Sequence, residues 1–170
     1  MTTRPSKTRS SSREDVSPRI EVRCSNVHGK GVFATRHFRA GQRVGVYAGR
    51  RYEAGQLDDA WDGGLTYLFS LSDGTTIDGA QGGNETRHLN HGCAPNVEAT
   101  EERGRAGSLN LVIRTLRSVR IGEELFLDYA LVIDDSEDAT DYPCGCGASS
   151  CRGTMAPAHA RIDSTAAVKS

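Results

Sequence analysis

Short apolar runs separated by glycine and polar residues recur between Ile20 and Ala130, and they limit the possible folds more than any other feature of the chain. Each run has the length of a strand and is shorter than an ordinary helix. In QRVGVYAG, which begins at residue 42, Val44, Val46 and Ala48 share one face, as in a half-buried strand with a period of two. The runs are IEVR, GVFAT, QRVGVYAG, LTYLFSL, GTTID, LNLVIRT and ELFLDYA. They predict a mostly β fold with short helices, built as several small sheets or a barrel.

The segments between these runs predict one hairpin and two short helices. SDGTT, residues 72–76, contains an Asp-Gly pair typical of hairpin turns. Residues 51–61, RYEAGQLDDAW, and residues 84–91, NETRHLNH, indicate helices, and Asn84 is placed to cap the second. No internal repeat is apparent.

One domain is expected, because 170 residues with 36% hydrophobic side chains suffice for one core and are too few for two ordinary domains. Residues 1–18 and 157–170 are poor in large apolar side chains, so we expect them to form disordered tails. The acidic run DDSEDATD, residues 134–141, fits either a solvated loop or a surface that attracts a lysine-rich peptide.

Charge and hydropathy argue against several partners. A net charge of -1 gives no global field that would attract nucleic acid, so direct nucleic-acid binding is not expected. The sequence contains no run of eighteen apolar residues that could span a membrane, and its first residues lack the apolar block of a secretory signal. We therefore expect a soluble, intracellular monomer that is cytoplasmic or, in a eukaryote, nuclear or chromatin-associated.

The five cysteines favour a metal site over a disulfide framework, because their number is odd and Cys144, Cys146 and Cys151 are crowded into CGCGASSCRG. A closed tetrahedral zinc site needs a fourth ligand. Cys24, Cys93 and the histidines are candidates. Cys93 has the better setting, in a loop between glycine and proline. Three thiols without a metal, including redox-active ones, are the alternative.

Five motifs in order resemble those of a SET-domain protein lysine methyltransferase with a cysteine-bearing post-SET segment. They are NVHGKGVFATRHFRAGQRVGVYAG, TYLFSL followed by IDG, GNETRHLNHGCAPN, GEELFLDYA and CGCGASSCRG. The resemblance implies a SET domain over residues 19–131 and a post-SET zinc segment over residues 140–156. It also implies a β-clip fold of small curled sheets, in which GEELFLDYA threads past RHLNHGC in a knot-like crossing.

The same resemblance implies the residue roles. S-adenosylmethionine would be bound by six residues: Gly29, Lys30, Gly31, Asn90, His91 and Tyr129. Tyr129 and Tyr67 would be catalytic, and Tyr67 and Leu127 would line the channel of the substrate lysine. Zinc would be bound by four residues: Cys93, Cys144, Cys146 and Cys151. Taken one at a time, the glycine turn, the Asn-His pair and the tyrosines would favour purely structural roles, and only their order in the chain favours the functional ones.

Methyl transfer from a sulfonium to an amine is an in-line displacement, which depends on positioning more than on a protein base. The attacking lysine must be neutral, and this costs roughly 4 kcal/mol at neutral pH from a reference pKa of about 10.4. An aromatic, desolvating channel lowers that pKa. Water or a tyrosinate is the expected proton acceptor.

Three departures from the family pattern leave alternatives open. Leu127 stands where Phe or Tyr is usual, Gln81 where an aromatic residue is common, and Gly92 where serine is usual. An active lysine methyltransferase is the first hypothesis. The others are a SET-fold binding module with weak or no catalysis and a zinc-stapled protein without a cofactor.

Overall fold

A computed structural model describes residues 19–57, 67–104, 107–133 and 136–157. The predicted tails, apart from residue 157, and parts of the first predicted helix and of the acidic run lie outside these residues. The described residues form ten strands: β1 Ile20–Cys24, β2 Lys30–Ala34, β3 Arg43–Val46, β4 Arg50–Tyr52, β5 Leu68–Ser70, β6 Thr76–Asp78, β7 Asn90–His91, β8 Val97–Arg103, β9 Leu109–Thr115 and β10 Glu124–Leu127. Two short 3-10 helices span Glu85–His88 and Ala139–Asp141. The prediction of a mostly β fold is confirmed, and its strands form open sheets rather than a barrel.

Strand β10 organises the larger sheet, whose strand order is β1-β2-β10-β8-β9-β3. It pairs antiparallel with β2, and it pairs parallel with β7 through Phe126 opposite Asn90 and Leu127 opposite His91. It also meets the start of β8 at Val97. GEELFLDYA therefore runs along the RHLNHGC loop, as predicted. The smaller sheet has the order β4-β6-β5.

The core lies on the inner face of β2, β9 and β10. Val32, Ile113 and Leu125 are fully buried there, and Phe38 and Val119 close one end. Each such side chain stabilises the fold by about 1.5–3 kcal/mol relative to exposure. This core fixes the position of β10, and β10 in turn positions the residues that follow it.

The predicted hairpin is present between β5 and β6. The Leu71 N–H donates to the Thr75 carbonyl at 2.8 Å, and Gly74 has a φ of +85°, which glycine adopts without strain. The Asp73 carboxylate accepts from the Thr75 N–H at 3.0 Å and completes the turn.

Both helix predictions are wrong in extent. Arg51 and Tyr52 belong to β4, because they pair with β6 and the pairing holds the backbone extended. The second predicted helix is one 3-10 turn, since β7 pairs with β10 two residues later. Asn84 does not cap that turn with its side chain; its amide instead donates to the Val46 carbonyl at 2.8 Å.

The predicted alternation in QRVGVYAG is interrupted by a register shift between Arg43 and Gly45 in the pairing of β3 with β9. Val44 is buried as expected, but Tyr47 on the predicted opposite face is buried too. The irregularity turns Tyr47 inward, toward the start of β5.

A local repeat is present, contrary to the sequence analysis. Residues 34–44, ATRHFRAGQRV, and residues 115–125, TLRSVRIGEEL, share an Arg-x-apolar-Arg-x-Gly pattern at a constant offset, and we call them the paired turns. Phe38 and Val119, at equivalent positions, pair with each other through two reciprocal backbone hydrogen bonds of 3.0 Å. The repeat was missed because it covers only about ten residues and its apolar positions differ in size.

Candidate functional site

The Asn90 side chain joins two of the motifs that the sequence analysis singled out. Its amide nitrogen lies 3.3 Å from the His28 carbonyl, 3.0 Å from the Lys30 carbonyl and 2.9 Å from a Glu124 carboxylate oxygen. Asn90 is 8% exposed. Its carbonyl oxygen has no partner among the described residues and is free to accept a hydrogen bond from a ligand.

Positions 29 and 31 of the HGKG turn are occupied by glycine for different structural reasons. Gly29 has a φ of +46°, and a Cβ there would meet no atom of the described chain within 4 Å, so the space beside it is open. Gly31 is buried, and a Cβ there would collide with the Glu124 carboxylate. Both glycines are predicted from the family resemblance to bind the cofactor. For Gly31 the structure gives a different reason, the approach of Glu124.

His91 connects Tyr129 to a cysteine. Its Nδ1 accepts from the Tyr129 N–H at 3.2 Å, which requires an unprotonated Nδ1. Burial lowers the pKa of His91, so the neutral ring is favoured. The proton is then on Nε2, which lies 3.4 Å from the Cys93 sulfur and donates to it. A continuous hydrogen-bonded path therefore runs from Cys93 through His91 to the backbone of Tyr129.

Tyr129 and Tyr67, which are predicted to be catalytic, lie close to a third tyrosine, Tyr47. The residue Tyr129 as a whole is 38% exposed, but its hydroxyl donates to the Leu89 carbonyl at 2.7 Å. Burial and the nearby Tyr67 raise the pKa of Tyr129 to about 12. The Tyr47 hydroxyl donates to the Tyr67 carbonyl at 2.7 Å and fixes the backbone of Tyr67. Burial, together with Tyr129 and Asp78, also raises the pKa of Tyr47. Both of these phenols are therefore neutral at physiological pH.

The rest of the Tyr67 environment is cationic and aromatic. The Arg87 guanidinium lies 5.7 Å from the centre of the Tyr67 ring, and the His88 ring packs edge-on at 6.3 Å. Leu127 is 3% exposed and packs in the core cluster that also contains Leu89. It contributes an aliphatic surface two residues before Tyr129.

The two other departures from the family pattern each have a local explanation. A Cβ at Gly92 would lie 2.8 Å from the Cβ of Phe126, so a serine does not fit beside this phenylalanine. Gln81 bridges Arg50 and Tyr52 of β4: Arg50 Nη1 donates to its carbonyl oxygen at 3.2 Å, and its amide donates to the Tyr52 hydroxyl at 2.9 Å.

The four cysteines predicted to bind a metal lie together, with all four sulfur atoms within 4.8 Å of one another. Cys93 and Cys144 are 3.7 Å apart. Tetrahedral Zn–S bonds of about 2.3 Å give a sulfur-sulfur edge of about 3.8 Å, so the cluster has the dimensions of a zinc site. Cys24 is exposed and belongs to no such group among the described residues.

The ionisation of the cluster also suits a cation. Burial raises the pKa of Cys144 to about 12. Burial opposes ionisation of Cys146 as well, but hydrogen bonds from the Cys93 and Ala148 N–H groups and from neighbouring thiols lower its pKa to about 6. One thiolate therefore forms readily, and a bound cation is needed to hold four together.

A second connection between the cluster and the Tyr129 segment runs through Arg152, which the sequence analysis missed. Its two terminal nitrogens each donate to Asp128 at 2.8 Å, and its backbone N–H donates to the Cys93 sulfur at 3.3 Å. The hydrogen bonds from Arg152 hold the pKa of Asp128 below its usual range. The only sequence signal was the position of Arg152, directly after Cys151.

Comparison with known proteins identifies the family. A family model described as SET domain matches residues 29–130, more than half of the chain. The chain belongs to the SET-domain family. The resemblance stated from the sequence motifs is therefore confirmed.

Relatives of this SET domain are much longer proteins. Histone-lysine N-methyltransferase 2B of Homo sapiens is 35% identical over 138 residues, which cover 78% of this chain and 5% of the relative. Histone-lysine N-methyltransferase Su(var)3-9 of Drosophila melanogaster is 35% identical over 159 residues, covering 81% of this chain and 25% of the relative. The H3 lysine-4 specific enzyme of Schizosaccharomyces pombe is 33% identical over 137 residues, 77% of this chain and 14% of the relative. The chain spans a quarter or less of each.

In the part of the SET domain that the structure describes, no helix is long and apolar enough to cross a membrane.

Proposed function

We propose that this SET domain transfers a methyl group from S-adenosylmethionine to the side-chain amine of a lysine in a protein. The observation that carries the proposal is the convergence on β10 of the glycine turn, the Asn90–His91 pair and Tyr129. The names of the relatives, all histone-lysine methyltransferases, support it.

The cofactor would lie against the glycine turn. S-adenosylmethionine supplies an electrophilic methyl group on a positively charged sulfur. Gly29 leaves open space beside the turn, and the Asn90 carbonyl oxygen can accept from the amino group of the methionine part. Lys30 is held in place through its carbonyl by Asn90. These contacts would orient the cofactor toward Tyr129.

Tyr129 and Tyr67 would position the substrate amine rather than deprotonate it. Because burial and the nearby Tyr67 raise the pKa of Tyr129 to about 12, its phenol stays protonated at neutral pH. The Tyr129 hydroxyl donates a hydrogen bond to the Leu89 carbonyl. The lone pairs of its oxygen are therefore available to accept a hydrogen bond from the lysine amine. The proton released from the lysine would pass to water. The positive charge of Arg87 beside Tyr67 disfavours a charged amine and helps to keep it neutral.

The cluster of Cys93, Cys144, Cys146 and Cys151 would bind one zinc ion. Zinc would supply the charge that allows four thiolates to coexist, and so would fix the post-SET segment against the loop that contains Asn90 and His91. The His91 Nε2–H directed at Cys93 is the kind of outer hydrogen bond that orients a metal ligand.

The substrate would be a lysine-containing protein. Because the relatives are named for histones, a basic, histone-like tail is the substrate class that we favour, and a chromatin-associated location would follow in a eukaryote. Leu127, in the place of an aromatic residue, would leave more room around the amine and favour higher degrees of methylation. A cytoplasmic location stays a prediction.

The test is methyl transfer from radiolabelled S-adenosylmethionine to a pool of lysine-rich proteins, comparing wild type with Tyr129→Phe. We expect activity in the wild type and at least about a tenfold loss in the variant, because one positioning hydrogen bond is removed. Tyr142→Phe is the matched control, since the Tyr142 hydroxyl bonds only to Glu137 at the surface among the described residues. Background signal from wild type and both variants would refute the proposal.

The departure at Leu127 favours one alternative, a binding module that holds S-adenosylmethionine without turnover. Calorimetric binding of the cofactor together with background transfer to every lysine substrate would support it.

A further inference from the structure

The arginines of the paired turns form a basic surface, and none of these arginines has a part in the proposed methyl transfer. Their contacts are reciprocal: the Gly41 N–H donates to the Thr115 carbonyl at 2.6 Å, and the Gly122 N–H donates to the Ala34 carbonyl at 2.7 Å. Because each turn donates to the other through equivalent residues, the two turns are related by an approximate local two-fold axis. Side chains at equivalent positions are therefore presented in pairs.

The paired side chains are arginines. Arg36 and Arg39 come from the first turn, and Arg117 and Arg120 occupy the equivalent positions of the second. They line two open grooves of about 560 and 670 Å³, which meet at His37. Ile121, on the rim of the larger groove, is 70% exposed.

Most of this positive charge is not neutralised. Among the described residues that line the two grooves, Glu123 is the one carboxylate, and it pairs with Arg117 at 2.7 Å. The guanidinium groups of Arg36, Arg39 and Arg120 have no acceptor among the residues that the structure describes. The chain as a whole carries a net charge of -1, so this is a local excess that bulk charge conceals.

We propose that the paired turns bind the phosphodiester backbone of a nucleic-acid duplex. Arginine matches phosphate oxygens through two parallel hydrogen bonds, and unpaired guanidinium groups release counterions from the duplex when they bind. A duplex has local two-fold axes that relate its strands, and proteins commonly match such symmetry with their own. The local two-fold axis of the paired turns, with two arginines on each side, favours this partner over an acidic peptide.

The first paired turn is far enough from the candidate site for both to be occupied. The site lies at the Lys30 end of β2, and the first paired turn begins at the other end, at Ala34. At about 3.3 Å per residue, the strand alone separates them by about 13 Å. A bound duplex would therefore hold a lysine-bearing protein associated with it near the site.

Fluorescence anisotropy with a labelled duplex of about 20 base pairs tests this inference, without methyl donor or lysine substrate, so that its failure is distinct from failure of the proposed function. The duplex should bind at low salt, and the association constant K should fall as salt is added. The slope of log K against log salt should be about -3 to -4, since four arginines each contribute about -0.9. Arg36→Gln with Arg39→Gln and Arg120→Gln should reduce the slope by about 2 to 3.

Arg23→Gln with Arg50→Gln and Arg103→Gln is the control, because it removes the same charge from exposed positions outside the paired turns. It should retain most of the wild-type slope. Comparing DNA and RNA duplexes of the same sequence shows which of the two nucleic acids the paired turns prefer. Equal losses in both triple variants, or no duplex binding at low salt, would overturn the inference. Tighter binding of a poly-glutamate peptide than of either duplex would overturn it in favour of an acidic protein partner.

Discussion

Gly92 and Phe126 illustrate how a departure from a family pattern can depend on one neighbour. A Cβ at position 92 would approach the Cβ of Phe126 to 2.8 Å and its Cγ to 3.1 Å. Both atoms belong to the fixed base of the side chain, so rotation of the ring does not relieve the contact. The chain therefore combines a glycine in the loop with a large side chain in β10.

We expect Gly92→Ser to lower the free energy of unfolding by about 1–3 kcal/mol, the usual cost of overpacking. Urea unfolding measures it. Phe126→Ala should relieve the contact, so the double variant should be more stable than the sum of the two single changes predicts. Gly45→Ser is the control, because a Cβ there would lie 3.5 Å from Thr86, an ordinary contact. Strict additivity in the Gly92–Phe126 pair would contradict this explanation.

At the scale of elements, residues 136–157 are held to the end of β10 by the Arg152–Asp128 pair. Both partners are partly exposed, and the geometry is bidentate at 2.8 Å. A lysine carries a single ammonium and does not reproduce this fork. The pair should therefore matter for how firmly residues 136–157 are held, more than for the stability of the core.

Arg152→Lys should increase hydrogen exchange in residues 136–157 several-fold and leave the exchange of β9 unchanged. Asp128→Asn combined with Arg152→Lys should add little, because both changes break the same contact. Arg114→Lys is the matched control, since Arg114 pairs with Glu102 with similar exposure on another part of the sheet. Exchange in residues 136–157 equal to that of wild type would show that the pair does not hold the segment.

An element that is determined by neighbouring residues can be predicted from the sequence, whereas one that is determined by a distant pairing partner cannot. The Asp-Gly hairpin was predictable because Asp73 and Gly74 determine it within the turn itself. Arg51 and Tyr52 were assigned wrongly to a helix, because pairing of β4 with β6 decides their conformation and their partners lie 26 and 24 residues away. The same limit applies to the candidate site: Tyr47, Asp128 and Arg152 act through long-range contacts that no local pattern reveals.

At the scale of the whole molecule, the cysteine cluster and the proposed methyl-transfer site share one hydrogen-bonded path. Cys93 accepts from His91, and His91 accepts from the backbone of Tyr129, whose hydroxyl is bonded to Leu89. Asn90, the neighbour of His91, holds the glycine turn. A change in the position of Cys93 would therefore be transmitted to both sides of the proposed cofactor site.

Metal removal tests this connection. We expect about one zinc ion per chain in the purified protein, lost after treatment with a chelator or in Cys93→Ser, because three thiolates leave the tetrahedral site incomplete. The affinity for S-adenosylmethionine, measured by calorimetry, should fall about tenfold in both cases, since His91 loses the fixed acceptor of its Nε2 proton. Cys24→Ser should retain both zinc and affinity, because Cys24 lies outside the cluster. Unchanged cofactor affinity after complete loss of zinc would show that the cluster only holds the post-SET segment and does not support the cofactor site.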